Sequence, residues 1–184
     1  LARGTSFRVF FPAASTPHSA KVKLSKLTEF IDGDIVGVDL IALTSHNDDR
    51  GWLIELFRND EISSDAQPMM GYVSETLPGV TLGPHQHRHQ TDHFVVIGSE
   101  EFEFCLWDVR AASSTAGNRM TFRAGGDRAL RVTVPAGVVH AYRNVSQRPA
   151  RLLNFPDKLY AGEGRQHAVD EVRYEDTEDH PFHW

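Results

Sequence analysis

The stretch VPAGVVHAYRNV, residues 134–145, reads as a tight turn followed by a strand with an unusual inner face. Pro135 fixes its own φ and Gly137 supplies the freedom a sharp reversal needs, so the chain turns there and then runs extended. Alternate side chains of an extended chain share a face, which groups His140, Tyr142 and Asn144 on one side. The same period-two alternation recurs in 34–43, 51–59, 70–77, 92–98, 101–109, 118–124, 129–134 and 151–156, with Gly, Pro, Asn, Asp and Ser between the runs. Only KLSKLTEFI (23–31) suits a short helix, and it suits a strand equally. The expectation is an all-β chain, closed as a barrel or doubled as a two-sheet jelly roll so that strand edges are hidden.

Upstream lies LGPHQHRHQTDHF, residues 82–94, with His85, His87, His89 and His93 in one short run. Strand alternation sends His85, His87 and His89 to one face and Gln86, Arg88 and Gln90 to the other. A strand that is apolar on neither face lines a cavity or lies at an exposed edge. A lone histidine is more often a surface or hydrogen-bonded structural residue, and His18, His46, His167, His180 and His183 read that way. His89 and His93 stand evenly between the two readings. The coincidence with the His140 strand marks His85, His87 and His140 as a site.

The chain has 184 residues, 40% of them hydrophobic and 24% charged, which suits one domain with one core. Residues 1–20, with FRVFF followed by PAASTPHS, read as an apolar arm, flexible or laid on a neighbouring copy in a dimer; residues 21–184 read as the domain. A formal charge of −6, with no lysine or arginine block, excludes the electrostatic footprint of a nucleic-acid binder. No apolar run approaches the roughly 20 residues of a membrane span, and the opening fifteen or so residues are too short and interrupted for a signal peptide. Cys105, the single cysteine, sits in the alternating run EFEFCLWDV and reads as core filler. The expected compartment is the cytoplasm.

Pro135, Gly137, His140 and Asn144 spell P-x-G-x-x-H-x-x-x-N, which resembles the second motif of the cupin superfamily, and His85-x-His87 resembles the first. The resemblance implies a double-stranded β-helix (jelly-roll) barrel with His140 at its mouth, opposite the H-x-H. From about Asp39 onward the chain further resembles the dTDP-4-dehydrorhamnose 3,5-epimerase family. The matching pieces occur in order: Asp48 or Asp49, Arg50, Gly51, Trp52 and Glu55; Gly79, Val80, Gly83 and His85; Asp108, Arg110, Ser113, Thr115 and Gly117; then the P-x-G-x-x-H motif, Tyr160, Asp170, Glu171 and a closing HPFHW.

That family, by resemblance, inverts a carbon beside the C4 ketone of a nucleotide-linked 4-keto-deoxysugar, without a cofactor, as a homodimer. The chemistry needs a base of near-neutral pKa, donors for the developing oxyanion and an acid on the other face. The resemblance makes His85 the base, with Asp176, or else Asp170 or Asp92, holding its other nitrogen. His87, Gln90, Asp92, His140 and Asn154 would border the sugar, and Arg50 with Glu55 would contact the nucleotide, in reach across a dimer interface. Three positions depart from the pattern: Leu82 stands where the family has a phosphate-binding arginine, Asp92 and His93 stand around its lysine, and Asn154 stands at its proton-donating tyrosine. Either Tyr142 serves as the acid or only one carbon is inverted. Three other readings fit the same residues: a metal-dependent cupin with a divalent transition metal on His85, His87 and His140, a sugar 3,4-ketoisomerase, and a non-catalytic sugar-binding cupin.

Overall fold

The computed structural model describes residues 29–177 and 179–184, and among them the regular structure is almost entirely β. The strands are β1 (Ile31–Asp32), β2 (Asp39–Ala42), β3 (Ser45–Asp48), β4 (Gly51–Ile54), β5 (Tyr72–Thr76), β6 (Thr81–Gln86), β7 (Asp92–Val96), β8 (Glu101–Asp108), β9 (Asn118–Gly125), β10 (Leu130–Val134), β11 (Val138–Asn144), β12 (Ala150–Asn154) and β13 (Val172–Arg173). One sheet has the order β1-β9-β8-β11-β6-β13, a second has β2-β10-β7-β12-β5, and β3 and β4 pair as a separate hairpin. Spatial neighbours are distant in sequence, as β8 beside β11 and β7 between β10 and β12, which is the jelly-roll arrangement that was expected. No described helix is long and apolar enough to cross a membrane.

The two sheets meet through the alternate residues that the sequence pattern sends inward. Phe102, Phe104 and Leu106 of β8 and Tyr142 of β11 pack with Phe94 and Val96 of β7, Val132 of β10 and Leu152 of β12 in one buried cluster. The Phe94 ring lies 5.9 Å from Phe104 and 5.7 Å from Tyr142, bridging the sheets. Each such side chain, fully buried, stabilises the fold by about 1.5–3 kcal/mol. One residue out of phase, Cys105 and Trp107 of β8 and Val139 and Ala141 of β11 face the back of the six-stranded sheet, where Phe182 covers them. Because both faces of β8 are covered, its apolar residues run consecutively from Phe104 to Trp107 instead of alternating. Cys105 is core filler, fully buried with the Thr121 hydroxyl donating to its sulfur.

Several boundaries differ from the sequence reading. The run 34–43 is a strand only over Asp39–Ala42, because a turn at Gly37 interrupts it. The run 51–59 stops as β4 at Ile54, and beyond it Phe57 leaves the hairpin to pack 5.1 Å from Phe155. β3, polar throughout, offers no alternation to read and is held by its pairing with β4. The apolar arm of residues 1–20 and most of the 23–31 segment lie outside the described residues; Ile31, at the end of that segment, opens β1.

Candidate active site

β6 runs between β11 and β13, and its register with β11 sets His85 directly across from His140. The two motif histidines are therefore side by side in one sheet, and the expectation that they oppose each other across the mouth is corrected. Gly83 makes this closeness possible: a Cβ there would sit 2.5 Å from the carbonyl oxygen of His140. Ring centroids are 4.4 Å apart for His85 and His140, 5.6 Å for His85 and His87, and 5.8 Å for His87 and His140.

His89 does not join them. β6 ends at Gln86, and the chain turns because the Asp170 carboxylate accepts the backbone N–H of Arg88 at 3.0 Å and of His89 at 2.7 Å, leaving the His89 side chain exposed. His93 resolves to the structural reading. It is buried, with one ring nitrogen 3.0 Å from the Thr133 hydroxyl and the other 2.7 Å from the Ala66 carbonyl oxygen.

The five-stranded sheet supplies the other wall. Asp92 begins β7, Asn154 ends β12, and Tyr72 begins β5 as the register partner of Asn154. Asp92 Oδ2 lies 3.3 Å from His87 Nε2 and 3.6 Å from His140 Nε2. Its Oδ1 accepts from Asn154 Nδ2 at 2.8 Å and from Gln90 Nε2 at 2.9 Å. The same Asn154 nitrogen donates to the Tyr72 hydroxyl at 2.9 Å. A polar chain thus crosses from β5 through Asn154 and Asp92 to the imidazoles of the facing sheet.

The three imidazoles are not equivalent. His87 turns Nδ1 onto the Asp170 carbonyl and Nε2 toward Asp92. His140 donates from Nδ1 to the Val138 carbonyl at 3.2 Å and likewise faces Asp92 with Nε2. A carbonyl only accepts, so in both rings Nδ1 carries the hydrogen. The His85 ring makes no hydrogen bond or ion pair among the described residues, and its Nδ1 is buried without a partner. Burial, aided by His140, His87 and Arg173, holds the His85 imidazole well below its ordinary pKa, and burial pushes His140 down to about 4. Both rings are therefore neutral at neutral pH.

Other expected site residues fall elsewhere. Asp176 is exposed in the turn after β13 and does not bond His85. Neither do the alternatives: Asp170 serves Arg88, His89 and, through its carbonyl, His87, and Asp92 serves His87 and His140. The acidic partner expected for His85 is thus absent among the described residues. Tyr142 shares the inner face of β11 with His140, but its ring sits among Phe94, Phe102 and Phe104, and the Ser74 hydroxyl comes close without a well-formed hydrogen bond.

Arg50 and Glu55 belong to the hairpin region, where Arg50 grips Asp48 and Glu55 lies 3.8 Å from Arg58; neither bonds the histidines. Leu82, at the expected arginine position, pairs with Tyr142 and packs on the core. The sequence reading missed Tyr72, the turn-capping role of Asp170, and Arg173, which β13 sets opposite His85. Tyr72 lay in a run already read as a strand, but its closeness to Asn154 follows from strand register, which alternation does not reveal.

An antiparallel two-sheet barrel whose H-x-H strand runs beside its P-x-G-x-x-H strand defines a cupin. Within that class, the dTDP-4-dehydrorhamnose 3,5-epimerase family matches residues 32–178. The chain belongs to this family of sugar epimerases. It is 33% identical over 128 residues to the probable low-salt glycan biosynthesis epimerase Agl13 of Haloferax volcanii, covering 69% of this chain and 81% of that protein. It is 31% identical over 126 residues to the spore coat polysaccharide biosynthesis protein SpsL of Bacillus subtilis, covering 68% and 82%. A dTDP sugar isomerase from Desulfovibrio desulfuricans shares the fold with a TM-score of 0.66 at 22% identity, over 76% of this chain and 84% of that one.

Proposed function

We propose that the protein inverts a carbon beside the C4 ketone of a nucleotide-linked 4-keto-deoxysugar, with His85 as the base. The observation that carries this is the state of the three rings: His87 and His140 are each anchored through Nδ1 on a backbone carbonyl and face Asp92 with Nε2, whereas the half-buried His85 ring is neutral and bonded to no described group. A neutral imidazole takes a proton from carbon, and the adjacent ketone accepts the electron pair as an enolate. His87, Gln90, Asp92, His140 and Asn154 form the polar wall against which the sugar is oriented. Incubation with dTDP-4-keto-6-deoxyglucose in heavy water should place deuterium at C3 or C5. His85→Asn should cut that exchange by about 10² or more. Full exchange in the variant would overturn the assignment.

One observation supports a second reading. Nε2 of His87, Nε2 of His140 and Asp92 Oδ2 converge, and both rings anchor Nδ1 on carbonyls, as metal-ligating histidines do. With His85 added, the three rings offer ligand nitrogens within 4.8 Å of one another, wider than the roughly 3.4 Å of a tetrahedral site with ordinary zinc–nitrogen bonds. Elemental analysis separates the two: stoichiometric divalent metal that falls in His87→Ala and His140→Ala establishes the metal enzyme, and its absence from active protein establishes the base.

We also propose a homodimer. Trp52 and Leu53, 61% and 64% exposed on the hairpin beside Arg50, support a second copy covering them and bringing Arg50 and Glu55 toward its nucleotide. A stable monomer in sedimentation at micromolar concentration would refute this.

A further inference from the structure

We propose that Tyr72 is the acid that returns a proton to the carbon on the face opposite His85, a role that rests on the epimerase reading above. Inversion requires donor and base on opposite faces of one carbon, and the barrel separates them by construction. His85 comes from β6 in the six-stranded sheet, while Tyr72 comes from β5 in the five-stranded one. The position where a proton donor was expected holds Asn154, whose amide has no proton to release. Its strand partner is Tyr72, and the two side chains meet at 2.9 Å.

The direction of that hydrogen bond matters. Asn154 Nδ2 donates and the phenol oxygen accepts, so the Tyr72 hydroxyl hydrogen is left for another acceptor. The residue is 45% exposed, yet its hydroxyl end is turned inward toward Asn154 and the Asp92 carboxylate. Burial, reinforced by Asp92, holds the phenol above its ordinary pKa, so it carries its proton throughout the neutral range. Tyr142 is placed worse, enclosed by three phenylalanine rings on the same strand as His140 and hence on the base's own sheet.

The step balances without a further reactant. The C–H bond breaks, His85 takes the proton, and the electron pair enters the enolate. That pair then forms the new C–H bond on the other face as the Tyr72 O–H bond breaks. Tyr72 is left as phenolate, with the Asn154 N–H already donating to its oxygen, and His85 is left as imidazolium; proton exchange with water resets both.

The test follows deuterium wash-in and inverted product separately, by nuclear magnetic resonance, for wild type, Tyr72→Phe and Tyr142→Phe with dTDP-4-keto-6-deoxyglucose in heavy water. Tyr72→Phe should retain wash-in at the original configuration and lose inversion by about 10² or more. Tyr142→Phe should keep the wild-type ratio of inversion to wash-in. Inversion at the wild-type rate in Tyr72→Phe overturns the proposal, as does loss of both processes in a variant that melts like wild type. A wild type that exchanges no carbon-bound hydrogen overturns the epimerase reading and this one with it. Should Tyr72→Phe fail to fold, 3-fluorotyrosine at position 72 preserves the shape with a more acidic phenol. The alkaline limb of the inversion profile then moves to lower pH, and an unmoved limb overturns the assignment.

Discussion

Asp108→Asn isolates the contribution of one buried charge to the scaffold of the site. The Asp108 side chain is inaccessible to solvent, at the end of β8. Its Oδ1 accepts from Arg110 N at 3.1 Å and Nε at 2.8 Å, and its Oδ2 from Arg110 Nη2 at 2.9 Å, the Ser113 hydroxyl at 2.5 Å and the Thr115 hydroxyl at 2.6 Å. Asn keeps the shape, but its NH2 must face donors on one side, and the guanidinium loses its counter-charge. Breaking one partner of a buried pair costs about 3–5 kcal/mol, which for a domain of this size lowers the melting temperature by roughly 6–20 °C.

The effect reaches the histidines because the Arg110 stem fills the space that a Cβ on Gly137 would enter, 2.9 Å away, and so props the turn that launches β11. Burial alone would raise the Asp108 carboxyl, but the donors from Arg110, Ser113 and Thr115 outweigh it and hold the group well below the usual carboxylate range. A depressed folded-state pKa adds stability above the unfolded-state value, and that stability is lost as pH falls through the folded value. The gap in melting temperature between wild type and variant should therefore stay constant from neutral pH to about 5 and close only in strong acid. Thermal melts by near-ultraviolet circular dichroism across that range provide the measurement. A drop under about 2 °C at pH 7, or a gap that vanishes between pH 5 and 6, would refute the reasoning.

The lowered pKa of His85 predicts that kcat/KM for hydrogen exchange is flat through neutrality and falls only as pH drops well below 6.5, where the base becomes protonated; an acid limb at or above pH 7 would contradict a half-buried neutral base. His87→Asn should raise KM more than it lowers kcat, since that ring contributes orientation present in both ground and transition states, and a pure kcat loss in steady-state kinetics would make His87 the base. Gly83→Ala drives a methyl to within 2.5 Å of the His140 carbonyl, so β6 must move off β11. It should cost about 1–3 kcal/mol in chemical denaturation and remove most activity, whereas an unchanged midpoint would show that the strands yield freely.

The barrel was legible because its inner face and turn chemistry are local properties. Alternation places Phe102, Phe104 and Leu106 together, and Pro135 with Gly137 marks a reversal, whatever the rest of the chain does. His85, His87 and His140 were legible because imidazoles concentrated at strand spacing have few structural uses. What remained hidden depends on which strand lies beside which. The choice among Asp92, Asp170 and Asp176 turns on topology, and Asp170 folds the chain away at His89 from 81 residues further on. Tyr72 and Asn154, 82 residues apart, become neighbours only through the β5–β12 register.

The histidine strand has a further consequence for how the molecule is made. Both lateral neighbours of β6, β11 and β13, lie downstream of it, and the pairing of His85 with Arg173 waits for roughly ninety residues of further synthesis. β11 comes first, with His140 lying 55 residues after His85, so at ordinary translation speed β6 is a strand without partners for an interval on the order of 3–11 s. A bare apolar strand would be exposed to other nascent chains for all that time. Pro84 removes one donor from its edge, while His85, Gln86, His87 and Arg88 keep its leading end hydrated. The same residues that make the strand fit to line a reaction chamber thus let it wait safely in water until its partners emerge.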